Sequence, residues 1–105
     1  MHKITTEDEL NKIIFDHDKF IFLKHSSTCP VSTAGYEATK AFAEASDIPV
    51  FYLIVQESRP LSNYIAEEYE IKHESPQVFY FVEGEVVWTA SHYGITKEEI
   101  DNIVK

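Results

Sequence analysis

The chain has 105 residues, 44% hydrophobic and 26% charged, with three glycines, four prolines and a single cysteine. That length carries one hydrophobic core, and one cysteine excludes an intrachain disulfide scaffold and any thiolate-rich zinc or iron–sulfur site within the chain. Nine Lys and Arg against eighteen Asp and Glu leave a net charge of −9, so phosphate attraction works against nucleic-acid binding, and anionic membrane surfaces are disfavoured likewise.

The N-terminal segment Met1 to Glu9 turns acidic where a signal peptide needs an apolar run. The longest apolar stretch, Val50 to Val55, is far short of the roughly 20 residues that span a bilayer. The expectation is a soluble cytoplasmic protein in which Cys29 stays a thiol unless chemistry uses it.

Lys3-Ile4 is read as a short edge strand. Thr6 with Glu9 forms a capping-box pattern, and Leu10, Ile13 and Ile14 repeat at helical spacing, which predicts a first helix over Glu7 to Asp16. Phe20-Ile21-Phe22-Leu23 is apolar without alternation, as a strand buried on both faces requires. It ends at Lys24-His25. After Ser26-Ser27-Thr28-Cys29, Pro30 suits the first position of a helix, along which Val31, Ala34, Ala38, Ala41, Phe42 and Ala45 form the predicted apolar stripe.

Val50 to Val55 is a second buried strand, and strand, long helix and strand together make a βαβ unit with parallel strands. Pro60 opens a third helix carrying Leu61, Tyr64, Ile65 and Tyr69. Val78 to Val82 and Glu85 to Trp88 flank Glu83-Gly84, a hairpin with glycine in its turn. Phe79, Tyr80, Phe81 and Trp88 are assigned to the core. A second capping box, Thr96 with Glu99, starts the last helix, whose buried face is Ile100, Ile103 and Val104. This order predicts an α/β domain over residues 1–105, a three-layer thioredoxin-like fold with a mixed central sheet and helices on both faces.

Cys29 stands where a buried strand hands over to a helix, a position that offers its sulfur unpaired N–H groups and the positive end of the helix dipole. A cysteine with pKa near 8.5 is about 3% thiolate at pH 7, and one with pKa near 6 is about 90% thiolate. Falling nucleophilicity cancels much of that roughly thirtyfold gain, so the larger benefit is a better leaving group: a mixed disulfide on Cys29 is readily released by a second thiol. Ser32 lies one turn further on, where a CxxC protein carries its resolving cysteine. A serine can donate a hydrogen bond to a thiolate but cannot close a disulfide, so any redox cycle is monothiol. The alternative at this point is a lone buried cysteine beside an ordinary helix N-terminus. Ser75-Pro76 precedes the third long strand; most X-Pro bonds are trans, but a thioredoxin topology places a cis-proline there.

With Thr28-Cys29-Pro30-Val31-Ser32, Ser75-Pro76 ahead of the hairpin and no second cysteine, nearly the whole chain resembles the monothiol bacilliredoxins, in particular their YtxJ-like branch. It departs from thioredoxin itself in lacking a tryptophan before the cysteine and an acidic residue in Phe20 to Leu23. The resemblance implies that Cys29 is the reactive cysteine, Pro30 the motif proline, Ser32 the replacement for the resolving cysteine and Pro76 the cis-proline. It implies removal of bacillithiol from protein mixed disulfides, with bacillithiol as co-substrate and no bound cofactor or metal. The implied partners are bacillithiolated client proteins, bacillithiol and a thiol-disulfide reductase.

Because bacillithiol carries malate carboxylates, an acidic protein would need a local positive patch for it. Lys24 and His25 are the nearest candidates, with Arg59 a weaker third. Thr28 is a further substrate-binding candidate, and Ser75 offers backbone groups to an extended thiol or peptide. Two other readings remain open: a thioredoxin-fold redox sensor or adaptor without turnover, and a monothiol glutaredoxin-like protein using glutathione or an iron–sulfur cluster shared between two chains.

Overall fold

The computed structural model describes residues 1–28 and 30–105. Five strands, β1 (His2–Lys3), β2 (Lys19–His25), β3 (Val50–Ile54), β4 (Gln77–Val82) and β5 (Glu85–Ser91), alternate with four α-helices, α1 (Glu7–Asp16), α2 (Pro30–Ala45), α3 (Arg59–Glu68) and α4 (Lys97–Ile103), and one short 3₁₀ turn at His92–Gly94. The sheet order is β1-β3-β2-β4-β5. β1 and β2 run parallel to β3, whereas β4 is antiparallel to both β2 and β5. This is the mixed sheet expected, with β2 at its centre.

Alternation along the strands divides the core. Phe20 and Phe22 of β2 face one side with Phe51, Leu53, Phe79 and Phe81, where Leu10 and Ile13 of α1 and Leu61 and Ile65 of α3 close over them. Ile21 and Leu23 face the other side with Val78 and Tyr80, under Phe42 of α2 and Ile100 of α4. Phe20 stacks on Phe81 with ring centroids 4.6 Å apart. Each such fully buried side chain contributes about 1.5–3 kcal/mol, so both layers of helix are held by the same five strands.

The first capping box forms in full: Thr6 accepts from the Glu9 backbone and the Glu9 carboxylate accepts from Thr6. In α4 only the half in which Thr96 Oγ1 accepts from the Glu99 N–H, at 3.1 Å, is made among the described residues. The hairpin turn has positive φ at both Glu83 (50°) and Gly84 (81°), the pairing that a tight two-residue hairpin needs.

Other expectations are also corrected: the edge strand is His2–Lys3 rather than Lys3-Ile4, and of the expected α4 face only Ile100 is fully buried. The buried face of α2 is Ser32, Gly35, Thr39 and Phe42, while Ala34 and Ala45 are exposed. Phe42 anchors that face in the core, while small size rather than hydrophobicity is what is buried at Ser32, Gly35 and Thr39, because Gly35 lies against Pro76; the Thr39 hydroxyl is satisfied within the helix by donating to Gly35 O at 2.8 Å. Trp88 is only half-buried, since β5 is an edge strand with one face toward solvent. Helix α3 begins at Arg59, with Pro60 inside its first turn.

Candidate functional site

The C-terminal end of β2, the start of α2, the turn after β3 and the segment before β4 meet at one end of the sheet. Thr28 is exposed and Pro30 begins α2, whose first turn holds no acidic residue. The positive end of this helix is therefore not neutralised by its own side chains. Cys29, the predicted nucleophile, lies outside the described residues.

Ser32, on that first turn, is fully buried and its Oγ has no hydrogen-bond partner among the described residues. Burying an unpaired hydroxyl costs roughly 1–3 kcal/mol, so this group calls for a partner beyond the ones described. The Ser75-Pro76 peptide is cis, as the topology demanded. Pro76 is buried against α2, where a Cβ built on Gly35 would lie 3.1 Å from Pro76 Cβ and 3.2 Å from Pro76 Cγ. The absence of a side chain at Gly35 is what lets the proline loop approach the helix. Ser75 Oγ is buried and likewise without a partner among the described residues.

Strand alternation separates the two nearest cationic candidates. Lys24 faces α3: it is fully buried, its Nζ donates to Ser62 O at 2.9 Å and lies 3.2 Å from His73 Nδ1, and it sits 5.7 Å from the Phe79 ring centroid. No carboxylate pairs with it among the described residues, and burial pulls its pKa down to about 8. His25 faces α2 instead, its ring 5.0 Å from that of Tyr36. Burial lowers the His25 pKa, opposed by a backbone hydrogen bond with Ser32, and its Nδ1 lacks a partner among the described residues. Lys24 and His25 therefore do not form one exposed patch, and Arg59, exposed at the start of α3, is the surface cation of the three. It is close enough to His73 that, after burial and the Lys24 charge, it too lowers the His73 pKa.

The buried Lys24 ammonium has a measurable consequence. Its folded pKa is below the ordinary 10.5, so between about pH 8 and pH 10.5 the unfolded chain binds more protons and stability from this group rises with pH. Below that window the full cost of the buried charge is present. Replacing Lys24 by Met is expected to raise stability at pH 7 by about 1–3 kcal/mol, allowing for the exposed His73 that covers the amine and for the lost bond to Ser62. Urea unfolding of both proteins at matched pH should show that advantage shrinking by pH 10; a constant gap would contradict the assignment.

Two glutamines brace the site, and sequence reasoning singled out neither. Gln77 is buried at the start of β4, where its Oε1 accepts from the Glu74 N–H at 3.3 Å and its Nε2 donates to Lys72 O at 3.1 Å. It thereby folds the segment that leads into Pro76. From the other side, the His92 N–H donates to Pro76 O at 3.0 Å and His92 Nε2 pairs with Glu74 Oε2 at 3.0 Å. Gln56, directly after β3, contacts all three residues that precede Cys29. The available signal was a polar amide abutting each end of a buried apolar strand. A cavity of about 320 Å³ opens elsewhere, lined by Thr5, Thr6, Glu7, Pro60, Leu61 and Tyr64, none of them a predicted site residue.

Fold and site define a thioredoxin-fold protein with serine in the resolving position. The chain is similar over 99% of its length to 93% of a solved protein provisionally assigned as an oxidoreductase with a thioredoxin fold, at 39% identity and a TM-score of 0.95. It also matches a thioredoxin mutant from Halobacterium salinarum NRC-1 (19% identity, 98% of this chain and 86% of that one, TM-score 0.79) and chloroplastic thioredoxin z (18%, 99% and 90%, TM-score 0.81), likenesses that bear on the fold. Residues 2–100 match the sequence model of the monothiol bacilliredoxin BrxC. The chain belongs to the monothiol bacilliredoxin family, and its family and fold are those of thiol oxidoreductases.

Proposed function

We propose that this protein removes bacillithiol from protein mixed disulfides through Cys29. The Cys29 thiolate attacks the bacillithiol sulfur of a protein–bacillithiol disulfide, the client leaves as a thiolate, and bacillithiol remains disulfide-bonded to Cys29. A second bacillithiol thiolate then attacks that disulfide, releasing Cys29 and bacillithiol disulfide, which a reductase returns to two thiols. Family membership over residues 2–100 is the observation that carries this reading. The chemistry of the site agrees with it: α2 leaves its positive end free of acidic side chains, and the buried Ser32 hydroxyl can donate to a thiolate but cannot displace a mixed disulfide. Arg59 supplies exposed positive charge for a carboxylate-bearing thiol on an otherwise acidic protein. The proposed setting is the cytoplasm; among the described residues no helix is long and apolar enough to cross a membrane.

The test is to mix the reduced protein with a bacillithiolated client and, separately, with a glutathionylated one, and to follow intact masses. The expected result is transfer of bacillithiol to Cys29 with release of the client thiol, faster than any transfer of glutathione. Equal or faster glutathione transfer would favour the glutaredoxin-like reading, and no adduct from either client would favour a sensor or adaptor.

A further inference from the structure

Gln56 is exposed at the turn that follows β3, yet its side chain is fully engaged. Oε1 accepts from the Ser27 N–H at 3.1 Å, and Nε2 donates to Ser26 Oγ at 2.8 Å and to Thr28 Oγ1 at 3.2 Å. The turn that carries it is itself fixed: the Val55 N–H donates to His25 O at 2.8 Å, the Glu57 and Ser58 N–H groups both donate to Ile54 O, and Glu57 pairs with Lys3 Nζ at 2.9 Å. One primary amide thus reads a backbone donor and two hydroxyl acceptors in three successive residues, all immediately before Cys29.

We propose that Gln56 is a positioning residue for the thiol chemistry, an inference that rests on the function proposed above. The Ser27 N–H can only donate, so it fixes the amide with its oxygen toward the backbone and its NH₂ toward the hydroxyls. Both amide hydrogens are then consumed by Ser26 and Thr28. These hydroxyls receive, so their own two hydrogens must serve other acceptors. Their mutual contact, Ser26 Oγ to Thr28 Oγ1 at 3.4 Å, takes one. The other stays on whichever hydroxyl does not donate in that contact; on Thr28, the residue next to Cys29 in sequence, it is available to a thiolate or a departing thiolate. Gln56 therefore acts through the hydroxyls: it does not touch the sulfur chemistry itself, but sets the polarity of the groups that do.

The experiment uses the full chain with wild type, Gln56→Ala, Thr28→Val and the double variant. Cys29 alkylation by iodoacetamide is followed from pH 5 to pH 10, and exchange of the Ser27 amide is followed by NMR. Gln56→Ala is expected to speed Ser27 exchange and to raise the apparent Cys29 pKa by about 0.5–1 unit, the effect of losing one charge-assisted hydrogen bond. In the Thr28→Val background the same change should add much less, because the path through the hydroxyl is already cut. A purely structural role would speed exchange without moving the pH profile, and that result overturns the proposal, as does an additive double variant. Failure of the wild type to accept bacillithiol overturns the proposed function, whereas a wild type that accepts it while Gln56→Ala keeps the wild-type pH profile overturns only the role of Gln56.

Discussion

Cys29→Ala is expected to lose bacillithiol transfer completely, down to the rate of the uncatalysed exchange between client and free bacillithiol. The reason lies in the residue count as much as in the site. The chain holds one sulfur nucleophile, and Ser32, the residue in the resolving position, has a hydroxyl that is un-ionised at pH 7 and does not displace disulfides. No second group can take over by a slower route, so the residual activity has no source within the protein. The measurement is release of client thiol under single-turnover conditions, with intact mass as the second readout. Cys29→Ser is expected to behave like Cys29→Ala. Transfer by either variant at more than about a tenth of the wild-type rate, a difference of about 1.4 kcal/mol in barrier, would mean that the reaction does not pass through a covalent adduct on this cysteine.

Gly35→Val should lower both stability and the rate of adduct formation. An added Cβ meets Pro76 at 3.1 and 3.2 Å and Ile95 Cδ1 at 3.4 Å, so alanine requires a shift of a few tenths of an ångström. That cost is offset by the roughly 1 kcal/mol by which Ala exceeds Gly inside a helix, and Gly35→Ala is expected to lie within about 1 kcal/mol of wild type. Valine adds two further carbons at the same contact and gains no comparable helix propensity, which puts the loss at about 2–3 kcal/mol. Relief must come from separating α2 and the Pro76 loop, which also disturbs the bond from the His92 N–H to Pro76 O. Urea unfolding together with the rate of adduct formation checks this: the valine variant should lose both stability and rate, and the alanine variant mostly rate if either. A valine variant with wild-type stability would show that helix and loop can part without cost.

Much of the fold was legible because the signals were local or strictly periodic. Thr6 and Glu9 set the start of α1, the unbroken apolar run Phe20 to Leu23 marked a strand buried on both faces, and Glu83-Gly84 marked the hairpin. The α2 stripe failed for an instructive reason. Phe42 and Ala38 do meet the core, but counting every alanine as apolar rotated the rest of the face, because a methyl group gains little from burial, whereas the absence of a side chain at Gly35 and the self-satisfied hydroxyl of Thr39 allow close approach to the Pro76 loop. Hydrophobicity patterns report what a face excludes from water, and they carry no information about how near the opposing backbone comes.

At the site, the sequence by itself supplied the motif behind the proposed chemistry: one cysteine followed by proline and serine at a strand-to-helix junction, with Pro76 ahead of the hairpin, excludes an intrachain disulfide and points to exchange with an outside thiol. Only the tertiary structure decided how the polar groups of the neighbouring described residues are arranged. It turned Lys24 beneath α3 and His25 toward α2, so that two neighbours in sequence do not share a face. It brought Gln56 to Ser26–Thr28 and Gln77 to Lys72–Glu74. The proposed nucleophile and its motif are written in covalent order, and covalent order is what a sequence states. The Gln56 hydrogen bonds join residues separated by 28 to 30 positions, and such partners become neighbours only when parallel strands align and fix which end of the sheet each loop reaches.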